Sequence, residues 1–188
     1  MPGDRIPEPW HGFFAELDCH FSQPVEFHCL GGFVVTMLYK LPRATADVDV
    51  VKILPLAAQN FLRQLAGPFT AFHKKQGIYI DVVGVVTLPI DYDLRLIEMF
   101  PGGFSHLRLF ALDPYDLALS KLERNAQRDR DDVKHLARTV PLDLAVLRER
   151  FETELKPDIG NPEREALTLK LWIEVIEEER ERSANQPD

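Results

Sequence analysis

The fold of this protein is decided by residues 25–53, VEFHCLGGFVVTMLYKLPRATADVDVVKI. Apolar and other side chains alternate over its first six residues, which predicts a strand because successive strand side chains point to opposite faces. Gly31 and Gly32 then interrupt the pattern, and Phe33–Leu41 has the spacing of a helix. Alternation returns over Thr45–Ile53. The stretch therefore predicts a strand, a short helix and a second strand.

The flanking sequence extends this pattern of short strands and helices. Helical patterns mark Trp10–Phe21 and Leu54–Leu65, and strand patterns mark Phe69–Phe72, Ile78–Val86 and Leu107–Leu112, with a basic turn at His73–Gly77. After residue 112 the periodicity is only helical, with segments that run to Asn125 and over Arg128–Thr139, Pro141–Leu155 and Pro162 to about Arg182.

The change of pattern at Asp113 predicts two parts. Asp113 can cap a helix that has Pro114 at its first position. We expect an α/β (α+β) fold in which residues 1–112 form a mixed β-sheet flanked by helices. Residues 113–188 are expected to form a C-terminal helical lobe packed on that core, with a frayed tail from Ser183 to Asp188.

Composition and charge exclude several classes of protein. With 45% hydrophobic and 28% charged residues, the 188-residue chain is neither disordered nor fibrous. The 30 acidic residues outnumber the 22 basic ones, and the net charge of −8 argues against broad, non-specific binding of nucleic acid, although a local basic face could still bind one. The opening MPGDRIPEPW lacks the basic start and apolar run of a signal peptide. We expect a cytoplasmic protein with no membrane partner.

The two cysteines do not predict a metal or disulfide site. Two cysteines are too few for a disulfide framework. Cys19-His20 and His28-Cys29 contain zinc-ligand residue types, but adjacent residues diverge on a helix and face opposite ways on a strand. The cysteines are therefore expected to be small buried hydrophobic residues.

Three acidic residues in apolar strands form the strongest candidate site. Asp47 and Asp49 are two positions apart, so both carboxylates project from one face of their strand and repel unless a cation lies between them. Such oxygen ligands suit Mg²⁺ or Mn²⁺. Asp81 interrupts the most apolar strand and would add a third carboxylate if that strand lies alongside. The alternatives are a solvent-facing strand edge for the pair and an outward position near a strand end for Asp81.

The glycine pair is a second, weaker signal. Gly31 and Gly32 stand where a strand gives way to a helix, which lets the backbone approach an anion such as phosphate closely. The alternative is a tight turn.

The order of these motifs resembles the superfamily of polymerase-β-type nucleotidyltransferases. That resemblance rests on the glycine pair after a strand, the Asp-x-Asp at residues 47–49 and the later strand carboxylate. More narrowly, the chain resembles the bacterial branch that includes AbiEii-like toxins and related uncharacterised nucleotidyltransferases. The segments that carry this second likeness are Arg43–Asp49, Asp113–Leu122 and Arg128–Asp132.

The resemblance implies two-metal nucleotidyl transfer. Asp47 and Asp49 would hold Mg²⁺ against the triphosphate of an NTP, and the glycine pair would cradle its phosphates. Asp81 would bind a second metal ion and help to draw the proton from the attacking hydroxyl.

Three further residues are expected to touch the nucleotide. Lys121 could extend its ammonium from a buried stem to the triphosphate, with a solvated helix lysine as the alternative. Arg43 and Thr45 would position the Asp-x-Asp strand or contact the nucleotide.

The expected activity is Mg²⁺-dependent transfer of a nucleotide from an NTP to an acceptor hydroxyl on RNA, a protein or a small molecule. The resemblance to AbiEii-like toxins adds a toxin–antitoxin role with an antitoxin protein as partner. The main alternative is a non-catalytic nucleotide-binding or interaction module that keeps the fold. A third is a sheet-and-helix domain with chance acidic residues.

Overall fold

The structure is a computed structural model that describes residues 6–184. Residues 1–5 and 185–188 lie outside the described part, so the expectations for the extreme N-terminus and for most of the tail lie outside it too. The chain divides into two compact units. Of the described residues, the sheet unit contains 6–86 together with Arg95–Leu112, and the helical unit contains Thr87–Leu94 together with 113–184.

A five-stranded mixed sheet organises the described part of the sheet unit. Its strands are β1 (Val25–Leu30), β2 (Asp47–Leu54), β3 (Tyr79–Val82), β4 (Ile97–Met99) and β5 (Leu107–Ala111). They lie in the order β3-β2-β1-β5-β4. The β1–β2 and β4–β5 pairs are antiparallel, whereas β1–β5 and β2–β3 are parallel. The predicted mixed α/β class is therefore confirmed.

Helices occupy the connections of the sheet unit and make up most of the helical unit. The first four are α1 (Trp10–Asp18), α2 (Gly31–Met37), α3 (Ala58–Ala66) and α4 (Ala71–Gln76). The helical unit contains α5 (Pro114–Leu119), α6 (Gln127–Thr139), α7 (Leu144–Arg150), a π-helical turn (Phe151–Leu155) and α8 (Pro162–Ala184). No helix among residues 6–184 combines the length and the apolar character needed to cross a membrane.

The predicted strand at Phe69–Phe72 and the predicted turn at His73–Gly77 are wrong, because this segment forms α4. Local capping explains the difference. The Thr70 hydroxyl accepts a hydrogen bond from the backbone N–H of His73 at 3.1 Å, which starts the helix. Gly77, at φ +69°, ends it in the left-handed conformation that glycine tolerates. The predicted strand Ile78–Val86 is shorter in the structure, where β3 covers only Tyr79–Val82, and the three-residue strand β4 was not predicted.

Aromatic packing fixes α1 and α2 within the sheet unit. Phe13, Phe14 and Phe33 are fully buried. The ring of Trp10 lies 4.9 Å from that of Phe33, and the ring of Phe14 lies 5.6 Å from it. Burial of such large apolar side chains supplies most of the favourable free energy of a core of this kind.

The predicted cap of α5 is confirmed in the helical unit. The Asp113 side chain accepts a hydrogen bond from the backbone N–H of Asp116 at 2.8 Å, and Pro114 is the first helical residue. The Arg150 guanidinium holds both carboxylates, at 2.7 Å from Asp113 and 3.0 Å from Asp116. The start of α5 is therefore tied to the end of α7.

A buried carboxylate at the end of α1 anchors β5. Asp18 accepts hydrogen bonds from three consecutive backbone N–H groups, those of Ser105 at 3.0 Å, His106 at 2.8 Å and Leu107 at 2.7 Å. This one side chain satisfies donors that would otherwise lie unpaired where the strand begins.

We expect Asp18→Ala to lower the free energy of unfolding by about 3 kcal/mol, because it leaves these donors without an acceptor. Urea denaturation followed by circular dichroism measures the change. Asp18→Asn keeps one acceptor oxygen and should lose less. An alanine variant as stable as the unchanged protein would contradict the anchoring role.

Candidate active site

The centre of the candidate site is a close approach between β2 and the end of β1. Leu30, the last residue of β1, is the register partner of Asp49, so Gly31 follows directly beside that carboxylate. Gly31 has φ +68°, and a Cβ built on it would lie 1.8 Å from Oδ2 of Asp49. A side chain at this position would occupy the space of the carboxylate. Only glycine permits both this backbone conformation and this contact.

The second glycine makes room for two more of the predicted site residues. A Cβ on Gly32 would lie 2.9 Å from Nη2 of Arg43 and 3.2 Å from Oγ1 of Thr45. The Thr45 hydroxyl in turn donates a hydrogen bond to Oδ1 of Asp47 at 2.7 Å. The glycine pair, which forms the first turn of α2, therefore lies directly against the polar side chains that lead into β2.

The alternation of β2 separates a core face from a polar face. Val48 and Val50 are fully buried, whereas Asp47 and Asp49 are half-buried on the opposite face. β3 runs parallel to β2 with Asp81 as the register partner of Asp49. Partner residues on neighbouring strands share a face of the sheet. The structure thus places Asp81, which is exposed, on the face that carries the Asp-x-Asp pair.

The pKa of Tyr79 reflects the negative charge on this face of the sheet. Burial raises the pKa of the Tyr79 phenol above its usual 10.0, and the negative charges of Asp47, Asp81 and Asp49 raise it further. The three carboxylates therefore act together on one hydroxyl.

Tyr79 was not among the predicted site residues, although the sequence contains a signal for it. Tyr79 stands two residues before Asp81 in β3, so the period of a strand places both on one face. It is also the register partner of Asp47.

The donor set of the polar face fits a magnesium or manganese ion. Among the described residues, no three His, Cys, Asp or Glu side chains stand close enough to hold a metal ion by themselves. Mg²⁺ at phosphoryl-transfer sites is usually held by one or two carboxylates together with substrate phosphates and water. Asp47 and Asp49 supply such a pair, and Asp81 lies in register beside it. An open set of this kind matches an ion that arrives with its substrate.

Lys121 lies in the helical unit, in the turn that follows α5. Its ammonium is 2.8 Å from Asp132 and 3.7 Å from Asp129, and its side chain is only 4% exposed. The alternative of a solvated helix lysine is therefore wrong. Burial opposes ionisation of Asp129, but hydrogen bonds from Arg124 and the nearby Lys121 charge leave its pKa below the usual value. The role of Lys121 as a triphosphate contact stays a prediction.

The mixed sheet, the glycine pair at a strand–helix junction and the carboxylates on two neighbouring strands define a fold of the nucleotidyltransferase type. Comparison with known families agrees. Residues 14–180 match a family described as nucleotidyltransferase of unknown function (DUF6036), and the chain belongs to that family. The predicted membership of the nucleotidyltransferase superfamily is confirmed, whereas the narrower AbiEii-like branch is not. No curated protein and no solved structure matches the chain.

The pKa of Tyr79 offers a direct test for a cation among the carboxylates. A bound divalent cation offsets part of their negative charge, so it should lower the pKa of Tyr79 and shift its ionisation to lower pH. Ca²⁺ is the suitable probe because Mg²⁺ precipitates as its hydroxide in alkali. Tyrosinate absorbance as a function of pH, with and without Ca²⁺, measures the shift.

The chain has four tyrosines, and two variants show which of them gives the Ca²⁺-dependent shift of the titration. Tyr79→Phe should remove the Ca²⁺-dependent shift. Tyr92→Phe should keep it, because the raised pKa of Tyr92 has other causes, namely burial and the charge of Asp93. Identical titration curves with and without Ca²⁺ would argue against a cation at this face.

Proposed function

We propose that the sheet unit catalyses transfer of a nucleotide from an NTP to an acceptor hydroxyl, with Mg²⁺ or Mn²⁺ as the metal ion. One observation carries the proposal. Asp47 and Asp49 share the polar face of β2 with Asp81 in register beside them, and the glycine pair lies directly against Asp49. Phosphate-binding backbone and metal-binding carboxylates thereby meet at one end of β2.

The like charges on this face favour a cation. The carboxylates of Asp47 and Asp49 stand two positions apart on one face of β2 and repel each other. Partial burial strengthens that repulsion because less water screens it. Asp47 accepts a hydrogen bond from Thr45, which orients its carboxylate. A carboxylate has about four acceptor positions, so one donor leaves others open to a metal ion.

Each group has a role in the proposed reaction. The acceptor oxygen forms a bond to the α-phosphorus of the NTP while the bond from that phosphorus to the β-phosphate breaks, so pyrophosphate is the leaving group. A metal ion held by Asp47 and Asp49 would stabilise the negative charge that develops during transfer. The backbone N–H groups of Gly31 and Gly32, at the start of α2, are offered to the phosphates, and Arg43, whose guanidinium lies against Gly32, adds positive charge beside them. Asp81, the exposed member of the three carboxylates, is the one open to an incoming acceptor and takes the proton of its hydroxyl.

The toxin role and the antitoxin partner rest on the resemblance to AbiEii-like proteins alone. The acceptor class is left open by the carboxylate face, and RNA, protein and small molecules all offer hydroxyl groups. An experiment that tests the activity must therefore present all three.

We expect α-labelled NTP, with Mg²⁺ or Mn²⁺ and separate fractions of RNA, protein and small molecules, to label one fraction. Asp47→Asn/Asp49→Asn should reduce the labelling more than about 100-fold, because the metal ligands lose their charge. Circular dichroism and thermal melting check that the variant still folds.

The chain offers a matched control in a second Asp-x-Asp sequence. Asp91→Asn/Asp93→Asn removes the same charge from residues of the 3₁₀ turn Tyr92–Arg95 and its flank, so labelling should be unchanged. Full labelling by the Asp47→Asn/Asp49→Asn protein would overturn the proposal. Metal-dependent NTP binding without labelling of any fraction would instead favour the non-catalytic nucleotide-binding module.

A further inference from the structure

Phe69 adopts an unfavourable position in two respects. Its side chain is 84% exposed, although a phenylalanine gains free energy from burial. Its backbone has φ +65°, a left-handed conformation that is unfavourable for a residue with a bulky side chain. Residues held in strained backbone conformations cluster at functional sites.

Specific hydrogen bonds hold Phe69 in this position. Its backbone N–H donates to Nδ1 of His73 at 3.0 Å. Thr70 fixes the same loop, because its hydroxyl donates to the carbonyl of Gly67 at 2.8 Å and accepts from the backbone N–H of His73. The exposed ring is thus presented by an ordered loop at the start of α4.

The rings of Phe69, His73 and Tyr79 form a continuous series, which we call the aromatic platform. The ring centroids of Phe69 and His73 are 6.4 Å apart, and those of His73 and Tyr79 are 4.7 Å apart. Tyr79 is the register partner of Asp47, so the two side chains share a face of the sheet. The platform therefore leads from solvent to the carboxylates of the candidate active site.

The strand order of the sheet determines on which side of the carboxylates the aromatic platform lies. β2 lies between β1 and β3, so the glycine pair flanks the carboxylates on the β1 side and the platform flanks them on the β3 side. In the proposed reaction the triphosphate lies at the glycines. A molecule on the platform is therefore the one that approaches Asp81.

We propose that the aromatic platform stacks a nucleobase of the acceptor. The inference rests on the proposed function for its site and deepens it by naming the class of acceptor, a nucleotide or nucleic-acid end whose hydroxyl faces Asp81. Stacking on exposed aromatic rings is how proteins hold single-stranded nucleic acid independently of sequence.

Local charge is consistent with a phosphate-bearing acceptor. The last turn of α4 carries Lys74 and Lys75, both exposed, in a chain whose net charge is −8. Lys75 pairs with Glu16 of α1 at 2.7 Å, which compensates its charge, so Lys74 is the cation that this turn provides for a phosphate group. Positive charge together with stacking rings is the usual composition of a single-strand binding surface.

The test compares a short single-stranded oligonucleotide with its fully abasic counterpart, which has the same length and charge. Fluorescence anisotropy of the labelled probes measures both affinities. We expect the unchanged protein to prefer the base-bearing probe by about 5- to 150-fold, the range that stacking of a base on an aromatic ring provides.

Three variants locate the preference on the platform. Phe69→Ala should abolish it, and Phe69→Trp should keep it because a larger ring still stacks. Phe61→Ala is the matched control, since Phe61 is also an exposed phenylalanine of the sheet unit, 45% exposed, and packs on Phe21 instead. Metal-dependent NTP binding should be the same in Phe69→Ala and the unchanged protein.

Equal affinity of the unchanged protein for the two probes would overturn the inference. A Phe69→Ala variant that loses NTP affinity and keeps its preference for the base-bearing probe would overturn the assignment to the acceptor. Failure of the proposed function gives a different result. The protein would then neither bind NTP nor label any fraction, but it would still prefer the base-bearing probe, and Phe69→Ala would still abolish that preference.

Discussion

The candidate site depends on the contact between the carboxylate of Asp49 and the backbone of Gly31. A Cβ at Gly31 would lie 1.8 Å from Oδ2 of that carboxylate, so the end of β1 can reach β2 only without a side chain. The same contact places Gly32 against Arg43 and Thr45, and Thr45 in turn orients Asp47. One steric constraint therefore sets the positions of the phosphate-binding backbone and of the carboxylates together.

One face of β2 and β3 packs in the hydrophobic core, and the opposite face carries the candidate active site. Val48, Val50 and Ile80 are fully buried and contribute to the core, while the opposite face carries three carboxylates and Tyr79. Like charges on one face oppose folding, and the burial of apolar side chains on the other offsets that cost. Such local conflict between charge and stability is typical of functional sites, where a ligand completes the electrostatic balance.

Much of this arrangement could be predicted from the sequence, because period-two alternation places Asp47 and Asp49 on one face whatever the tertiary structure. The register of Asp81 with Asp49 could not, since strand pairing depends on which strands become neighbours. The segment that forms α4 was predicted as strand and turn because its helix propensity is weak. In the structure it is a helix because two local caps, at Thr70 and Gly77, outweigh that weak propensity. The burial of Lys121 depends on Asp132, eleven residues away, and on tertiary packing that periodicity does not encode.

The most direct test of the central claim is a crystal structure of the protein with Mn²⁺ and a non-hydrolysable NTP analogue, read by anomalous scattering. We expect a Mn²⁺ peak against the carboxylates of Asp47 and Asp49, with the triphosphate along the backbone of Gly31 and Gly32. Nucleotide and metal ion bound elsewhere, with these carboxylates making contacts only within the protein, would contradict it.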